Sequence, residues 1–249
     1  MLVLLVGLIL VLAFLFSMLG LGGAMVYNPV MLWFGYEFKT VVVPAGLLLN
    51  GLTAASAAWV YYRKGMIDFI AGLPLVVASA IGAPLGALLT QIVPTDLLLW
   101  LFAAAVLLAG GRMILVSGSA EPLAVRGSPG QRILLGAVLG FGIGAIAGLL
   151  GIGGGFLIVP FLIWLGYPTK TAAATSAFTV VFSSATGFLG HLAVGHFDWL
   201  LMAPAAVAVV LGSQVGARFM HARMKPRRLK QLFGVVLILV AGKLILGLV

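Results

Sequence analysis

The sequence predicts an all-α polytopic membrane protein built of two inverted repeats, each a glycine-turn helix pair followed by three transmembrane helices. Three observations lead there. The 249 residues are 63% hydrophobic and only 8% charged, with a mean hydropathy of +1.27, whereas a soluble domain carries about a quarter charged residues. The apolar residues fall in long runs rather than in the alternating segments of about ten residues that membrane strands show. The stretch 20–40 recurs at 151–171, with Gly20, Gly22, Gly23, Pro29, Trp33, Gly35, Tyr36, Lys39 and Thr40 repeated 131 positions on, 9 identities in 21 positions. Such self-similarity in a membrane chain marks an internal duplication centred on the two glycine turns.

In chain order, apolar segments cover residues 2–18, 24–35, 41–61, 66–90 and 95–115, then 132–150, 155–166, 171–191, 197–220 and 229–248. Residues 1–116 form the first membrane repeat and 132–249 the second, with a polar linker at 117–131 rich in Ser, Gly and Pro. Met1 to Phe16 has the hydropathy of a signal peptide, but it lacks a basic leading region and a small-residue cleavage site, so it is read as structure. The halves track each other beyond the opening stretch. Gly65, Asp68, Pro74, Gly82 and Gly86 answer Gly195, Asp198, Pro204, Gly212 and Gly216 at a spacing of 130.

Charge sets the orientation. The net charge is +9, and Arg218, Arg223, Lys225, Arg227, Arg228 and Lys230 supply six of the fourteen Lys and Arg. In a membrane protein such a cluster reads as a cytoplasmic loop, with contact to anionic membrane lipid as a secondary role, rather than as a nucleic-acid surface. If each glycine-turn pair enters and returns on one side, the halves are inverted. Arg63, Lys64, Arg112, Arg126, Arg132, Lys170 and that cluster then share one face, twelve cations against Lys39 and Lys243 opposite. If each pair crosses once, the tally is eight against six. The positive-inside rule prefers inversion, with both termini outside the cell. The first arm of each pair, about 27 Å, nearly crosses, while the second, about 16 Å, returns only half way; tilt, or a break at Gly140, Gly142 and Gly144, would reconcile the two.

The chemistry converges on the turns, placed near the midplane. Backbone that leaves helical geometry inside a bilayer must be buried in protein or line a watery cavity. A short helix starts after Gly22-Gly23 and after Gly153-Gly154-Gly155, so two positive helix ends point inward, which suits an anion; close helix packing is the other role such glycines fill. The following helices carry hydroxyls and amides. Thr175, Thr179, Ser183 and Thr186 share one face, flanked by Ser176 and Ser184, and the first half offers Asn50, Thr53 and Ser56. These groups either donate to an oxyanion or bond back to their own helices.

Equally informative is what the chain lacks. It has no cysteine, its three histidines, His191, His196 and His221, are scattered, and Glu37, Asp68, Asp96 and Asp198 lie at segment ends. The expectation is therefore no catalytic residue, no metal, no cofactor and no ion site built on a buried carboxylate. His191 and His196 read as interfacial polar anchors.

Leu150-Gly151-Ile152-Gly153-Gly154-Gly155-Phe156-Leu157-Ile158-Val159-Pro160, followed by Ala172-Ala173-Ala174-Thr175-Ser176, resembles the TauE/SafE sulfite-exporter family. The resemblance covers essentially the whole chain. It implies a bacterial or archaeal inner-membrane carrier for sulfite or another sulfur oxyanion or organosulfonate, with binding roles at Gly153, Gly154, Gly155, Thr175 and Ser176. The first half departs from the pattern, with Ala24 for the third glycine and Val43-Pro44-Ala45 where Ala-Thr-Ser would stand. Asn28 and Asn50 are the donors available in their place.

The resulting expectation is a secondary carrier, not an enzyme, that holds a small anionic substrate between the turns and works by alternating access. Its candidate residues are Gly22, Gly23, Asn28, Asn50, Thr53, Gly153, Gly154, Gly155, Thr175, Ser176, Thr179 and Ser183. An anion channel with the same site, or a non-catalytic subunit of a membrane assembly, are the alternatives, and a homo-oligomer is compatible with all three.

Overall fold

The computed structural model describes residues 2–115, 118, 125–192, 199–223 and 225–248. Among them there is no strand. The helices are α1 (Leu2–Ser17), α2 (Ala24–Trp33), α3 (Val43–Arg63, entered through a π-helical turn at Phe38–Val42), α4 (Phe69–Ile92), α5 (Thr95–Leu115), α6 (Pro129–Leu150), α7 (Gly155–Trp164), α8 (Thr169–His191), α9 (Trp199–Arg223) and α10 (Pro226–Leu248). Six are long and apolar enough to cross a membrane: 38–63, α4, α5, α6, α8 and α9. The chain is a multi-pass membrane protein.

Three helix starts carry a cap that the sequence supplies. Ser128 accepts from the N–H of Gln131, whose side chain accepts from Ser128 in return, so a capping box opens α6 inside the last residues of the polar linker. Asp68 caps α4 through the N–H of Ala71 at 2.9 Å. Glu37 accepts from the N–H groups of Lys39 and Thr40 at the mouth of the π-helical turn.

The packing is reciprocal. α6 lies along α4 and α1 lies along α9, while α3 packs on α8 and α5 on α10. Glycines set the first two contacts. A Cβ on Gly82 or Gly86 would sit 2.3 or 1.9 Å from the carbonyl oxygens of Phe141 and Ala145, and one on Gly212 or Gly216 would sit 2.5 or 2.1 Å from those of Leu10 and Phe14. The four glycines occupy matching places in the two halves, and each lets two backbones touch as small residues do between membrane helices. α6 runs unbroken through Gly140, Gly142 and Gly144. The break that would shorten this arm does not occur, because Gly140 and Gly144 are used against Leu75 and Ser79 of α4.

Burial grades the helices from centre to rim. The apolar stretches of 38–63 and α8 are 72% and 61% buried, against 39% for α5 and for α6. α3 and α8 are thus the central pair, and the short helices α2 and α7 lie against them.

Candidate functional site

The two glycine turns meet in the protein interior. Gly20 and Gly22 take φ of 66° and 73°, and Gly151 and Gly153 take 67° and 70°. An L-residue pays about 1–2 kcal/mol in that left-handed region, which is why glycine stands there. The copies then diverge: Gly23 has φ −145° where Gly154 has φ 80°. The turns touch directly, since a Cβ on Gly155 would lie 2.7 Å from the Cα of Leu21. Residues 16–31 and 150–156 are buried throughout.

Asn50 of α3 sits where the turns meet. Its Oδ1 accepts from the N–H of Gly23 at 2.5 Å and of Ala24 at 2.9 Å, so it caps α2. Its Nδ2 donates to Ser184 Oγ at 2.8 Å. A Cβ on Gly22 would fall 2.0 Å from Asn50 Oδ1, and one on Gly153 would fall 2.0 Å from Asn50 Nδ2, so one carboxamide rests on both turns. Both glycines must lack a side chain for it to fit.

Three other side chains close the turn carbonyls. Ser176 Oγ donates to the Gly20 carbonyl at 2.8 Å, Ser183 Oγ to that of Gly153 at 2.9 Å, and Asn28 Nδ2 to that of Gly151 at 2.9 Å. These bonds meet the demand that backbone leaving helical geometry in a membrane be satisfied internally. The start of α7 is different. Among the described residues no acceptor takes the N–H groups of Gly154, Gly155 or Phe156, whereas the equivalent donors of Gly23 and Ala24 are held by Asn50. The π-helical turn takes up one residue, so α3 and α8 run in a register of 130, and the residue answering Asn50 is Val180, as buried as Asn50 but with no acceptor to offer them.

Of the residues singled out from the sequence, Gly22, Gly23, Asn28, Asn50, Gly153, Gly154, Gly155, Ser176 and Ser183 are brought together here. Thr53, Thr175 and Thr179 have other partners. Thr53 Oγ1 donates to the Leu49 carbonyl at 2.8 Å and pairs with Tyr27 at 3.0 Å. Thr175 Oγ1 accepts from the N–H of Asp68 at 3.0 Å, at the start of α4, and Thr179 Oγ1 donates to the Thr175 carbonyl at 3.0 Å. Sequence reasoning passed over Ser184 as a flanking residue, and Tyr27 altogether. Positions 176, 183 and 184 share a helical face, and it is the face that meets the turns.

His191 is buried, with Nε2 3.3 Å from the Gly148 carbonyl, rather than an interfacial anchor. His196 and Asp198 lie outside the described residues. Asp68 and Glu37 serve as caps and Asp96 stands in the first turn of α5. Among the described residues no group of three His, Asp or Glu could hold a metal ion.

Comparison with known proteins agrees with this architecture. The family model described as Sulfite exporter TauE/SafE matches residues 4–244. The probable membrane transporter protein YunE of Bacillus subtilis (strain 168) is 28% identical over 252 residues, covering 92% of each chain. The probable membrane transporter protein YdhB of the same organism is 28% identical over 216 residues, 84% of this chain and 86% of the other. The Sulfite exporter TauE/SafE family protein 3 of Arabidopsis thaliana is 34% identical over 88 residues, 33% of this chain and 18% of that one. No solved structure matches.

Proposed function

The chain belongs to the TauE/SafE sulfite exporter family and is a membrane transporter of that type, and on this premise we propose that it is a secondary carrier for a small anion, a sulfur oxyanion or organosulfonate, held between the two glycine turns. One observation carries the proposal. The N–H groups that open α7 lie buried at the centre of the protein with no acceptor among the described residues, while the matching groups of α2 are capped by Asn50. A helix start with unpaired donors and a positive dipole end favours an anion. Ser184, whose Oγ accepts from Asn50 Nδ2, lies beside it with its own proton available as a donor that adds no fixed charge.

The halves are inverted repeats working by alternating access. The reciprocal pairing of α1 with α9 and α6 with α4 supports this reading. So does the sharing of one cavity wall by Arg63, Lys64, Arg218 and His221, with Lys170 Nζ donating to the His221 carbonyl at 3.3 Å. Lys39 instead donates to the Val93 carbonyl, and Lys243 lies over Trp33. The Asn50 amide fills the place between the turns, so the anion reaches the α7 donors only when the turns part, and parting them is the task of the rocking motion. The setting is the inner membrane of a bacterial or archaeal cell.

The test is flux into liposomes holding the purified protein, with sulfite, thiosulfate, sulfonates, sulfate and short carboxylates offered in turn. A carrier gives saturable flux of one anion class that is accelerated by the same anion on the far side. Linear, non-saturating flux would make the protein a channel, and no flux of any anion would remove the proposal.

A further inference from the structure

Positions 33 and 112 answer positions 164 and 243 at the 131-residue spacing, so the pair Trp33 and Lys243 has a counterpart in Trp164 and Arg112. The two pairs are in different states. Lys243 Nζ lies 4.1 Å from the centre of the Trp33 ring, and α10 packs on α2. Arg112 and Trp164 instead border an open groove of about 570 Å³ between α5, α6 and α7. Its walls include Leu101, Ala105 and Leu108 of α5, Leu149 of α6, and Phe156 and Phe161 of α7, and among the described residues Arg112 is the one charged side chain lining it. Arg112 has no hydrogen-bond or ion-pair partner among the described residues, and Trp164 is 54% exposed.

We propose that this groove is a phospholipid site in which one acyl chain lies along α5 and α7 and the phosphate of an acidic headgroup meets Arg112 beside Trp164. The lining decides the class of ligand. A polar solute would lose its water against these walls and gain a single partner, whereas the surrounding bilayer supplies hydrocarbon chains at no such cost. The volume falls within the range of about 300–1,000 Å³ usual for small-molecule sites. The mouth decides the headgroup. A guanidinium forks onto a phosphate through paired N–H donors, tryptophan is at home at the level of the headgroups, and basic clefts between membrane helices select acidic lipids. The Lys243 and Trp33 pair is the same device shut on itself, with the protein's own helix in place of the chain. The inference stands on the groove and the paired positions, and does not rest on the transport reading.

Trp164 reports on the groove. The wild-type protein is placed in vesicles of phosphatidylcholine carrying increasing shares of lipid with brominated chains, either phosphatidylglycerol or phosphatidylcholine, and the Trp164 signal is taken as wild type minus Trp164→Phe. The signal is expected to be half quenched at a several-fold lower share of brominated phosphatidylglycerol than of brominated phosphatidylcholine, and Arg112→Gln to abolish that difference. Native mass spectrometry from mild detergent gives a second reading: about one acidic phospholipid retained per chain, lost in Ala105→Trp, which fills the groove. Equal quenching by both lipids in the wild type, or a dimer in which Trp164 is unquenched by either, overturns the proposal, the latter by making a second copy the occupant.

Discussion

Asn28 reaches 123 residues along the chain to donate to the carbonyl of Gly151 at 2.9 Å. The bond does for the second turn what Ser176 does for the first, where it donates to the carbonyl of Gly20 at 2.8 Å. Because the π-helical turn at Phe38–Val42 takes up one residue, the residue matching Ser176 in the first half is Gly46 rather than Ala45; it has no donor, and the residue matching Asn28 in the second half is Val159. Each turn thus has its first carbonyl closed by the opposite half, by a different helix in each case.

This exchange predicts a rescue. Asn28→Val leaves the buried Gly151 carbonyl without its donor and is expected to cost about 1–3 kcal/mol. Adding Gly46→Ser, whose Cβ in the wild type would meet Asn28 Oδ1 at 1.8 Å, rebuilds the arrangement of the other turn and is expected to recover a good part of the loss. Thermal unfolding in detergent reads both. No recovery in the double variant would mean that the two halves do not pack equivalently around their turns.

Glycine substitutions separate turn from helix. Gly153→Ala puts a Cβ at φ 70°, 2.0 Å from Asn50 Nδ2, with Ser184 Oγ 2.6 Å away. Beyond the strain of about 1–2 kcal/mol, it drives Asn50 off the turn, and flux is expected to fall at least tenfold while the protein still inserts. Gly142→Ala lies in the middle of α6 with nothing within 4 Å. It is expected to be neutral or to stabilise by up to about 1 kcal/mol. Equal melting temperatures and equal flux in both variants would show that the turn tolerates a side chain.

Glu37 predicts an acid limit. Burial works to raise its pKa, but the hydroxyl and N–H of Thr40, the N–H of Lys39 and the Lys39 charge together hold it below the ordinary value of 4.5. A carboxyl with a lowered folded pKa contributes stability that is complete above its unfolded value and is lost as the pH falls through the folded one. The melting temperature of wild type minus that of Glu37→Gln should therefore be positive and flat near neutral pH, then shrink toward zero below about pH 4.5. A difference that does not change with pH would assign the contribution to the shape of the cap rather than to its charge.

The cations predict sidedness. The chain has no cysteine, so single cysteines label cleanly. In intact cells, cysteines at Lys64 and Arg223 are expected to be shielded from an impermeant thiol reagent added outside, and one at Lys39 to react. Lys39 and Lys170, which answer each other at the 131-residue spacing, labelling from the same side would end the inverted arrangement.

The fold class was legible because the bilayer constrains so strongly. A chain this apolar must satisfy its backbone internally, and the length of its runs fixes helices. The glycine turns were legible because they occur twice. What was not legible follows from contacts that sequence spacing does not encode. That Asn50 rests on both turns depends on where α3 crosses the second half, and Ser184 becomes relevant only through that crossing. Thr175 shares a face with Ser183, yet it stands two turns of helix nearer the start of α4 and is met there by Asp68. Gly140 and Gly144 offered a break that the packing of α6 on α4 uses for contact instead.

The difference between Asn50 and Val180, which answer each other across the halves, gives the most direct test of the candidate site. Asn50 satisfies the Gly23 and Ala24 donors, whereas Val180 leaves Gly154 and Gly155 open. Val180→Asn should place a carboxamide on the α7 donors as Asn50 places one on those of α2. A neutral acceptor there competes with the anion for the same N–H groups, so anion affinity is expected to fall by at least tenfold, the equivalent of about 1.4 kcal/mol. Melting temperature should hold or rise, because buried donors gain a partner. Asn50→Asp keeps the acceptor for α2, loses the donor to Ser184 and sets a negative charge against the incoming anion, so it too should lose binding. The two variants differ in stability, which separates competition for donors from simple damage. If Val180→Asn binds the anion as wild type does, in detergent and in liposomes, then the open start of α7 is not where the substrate sits.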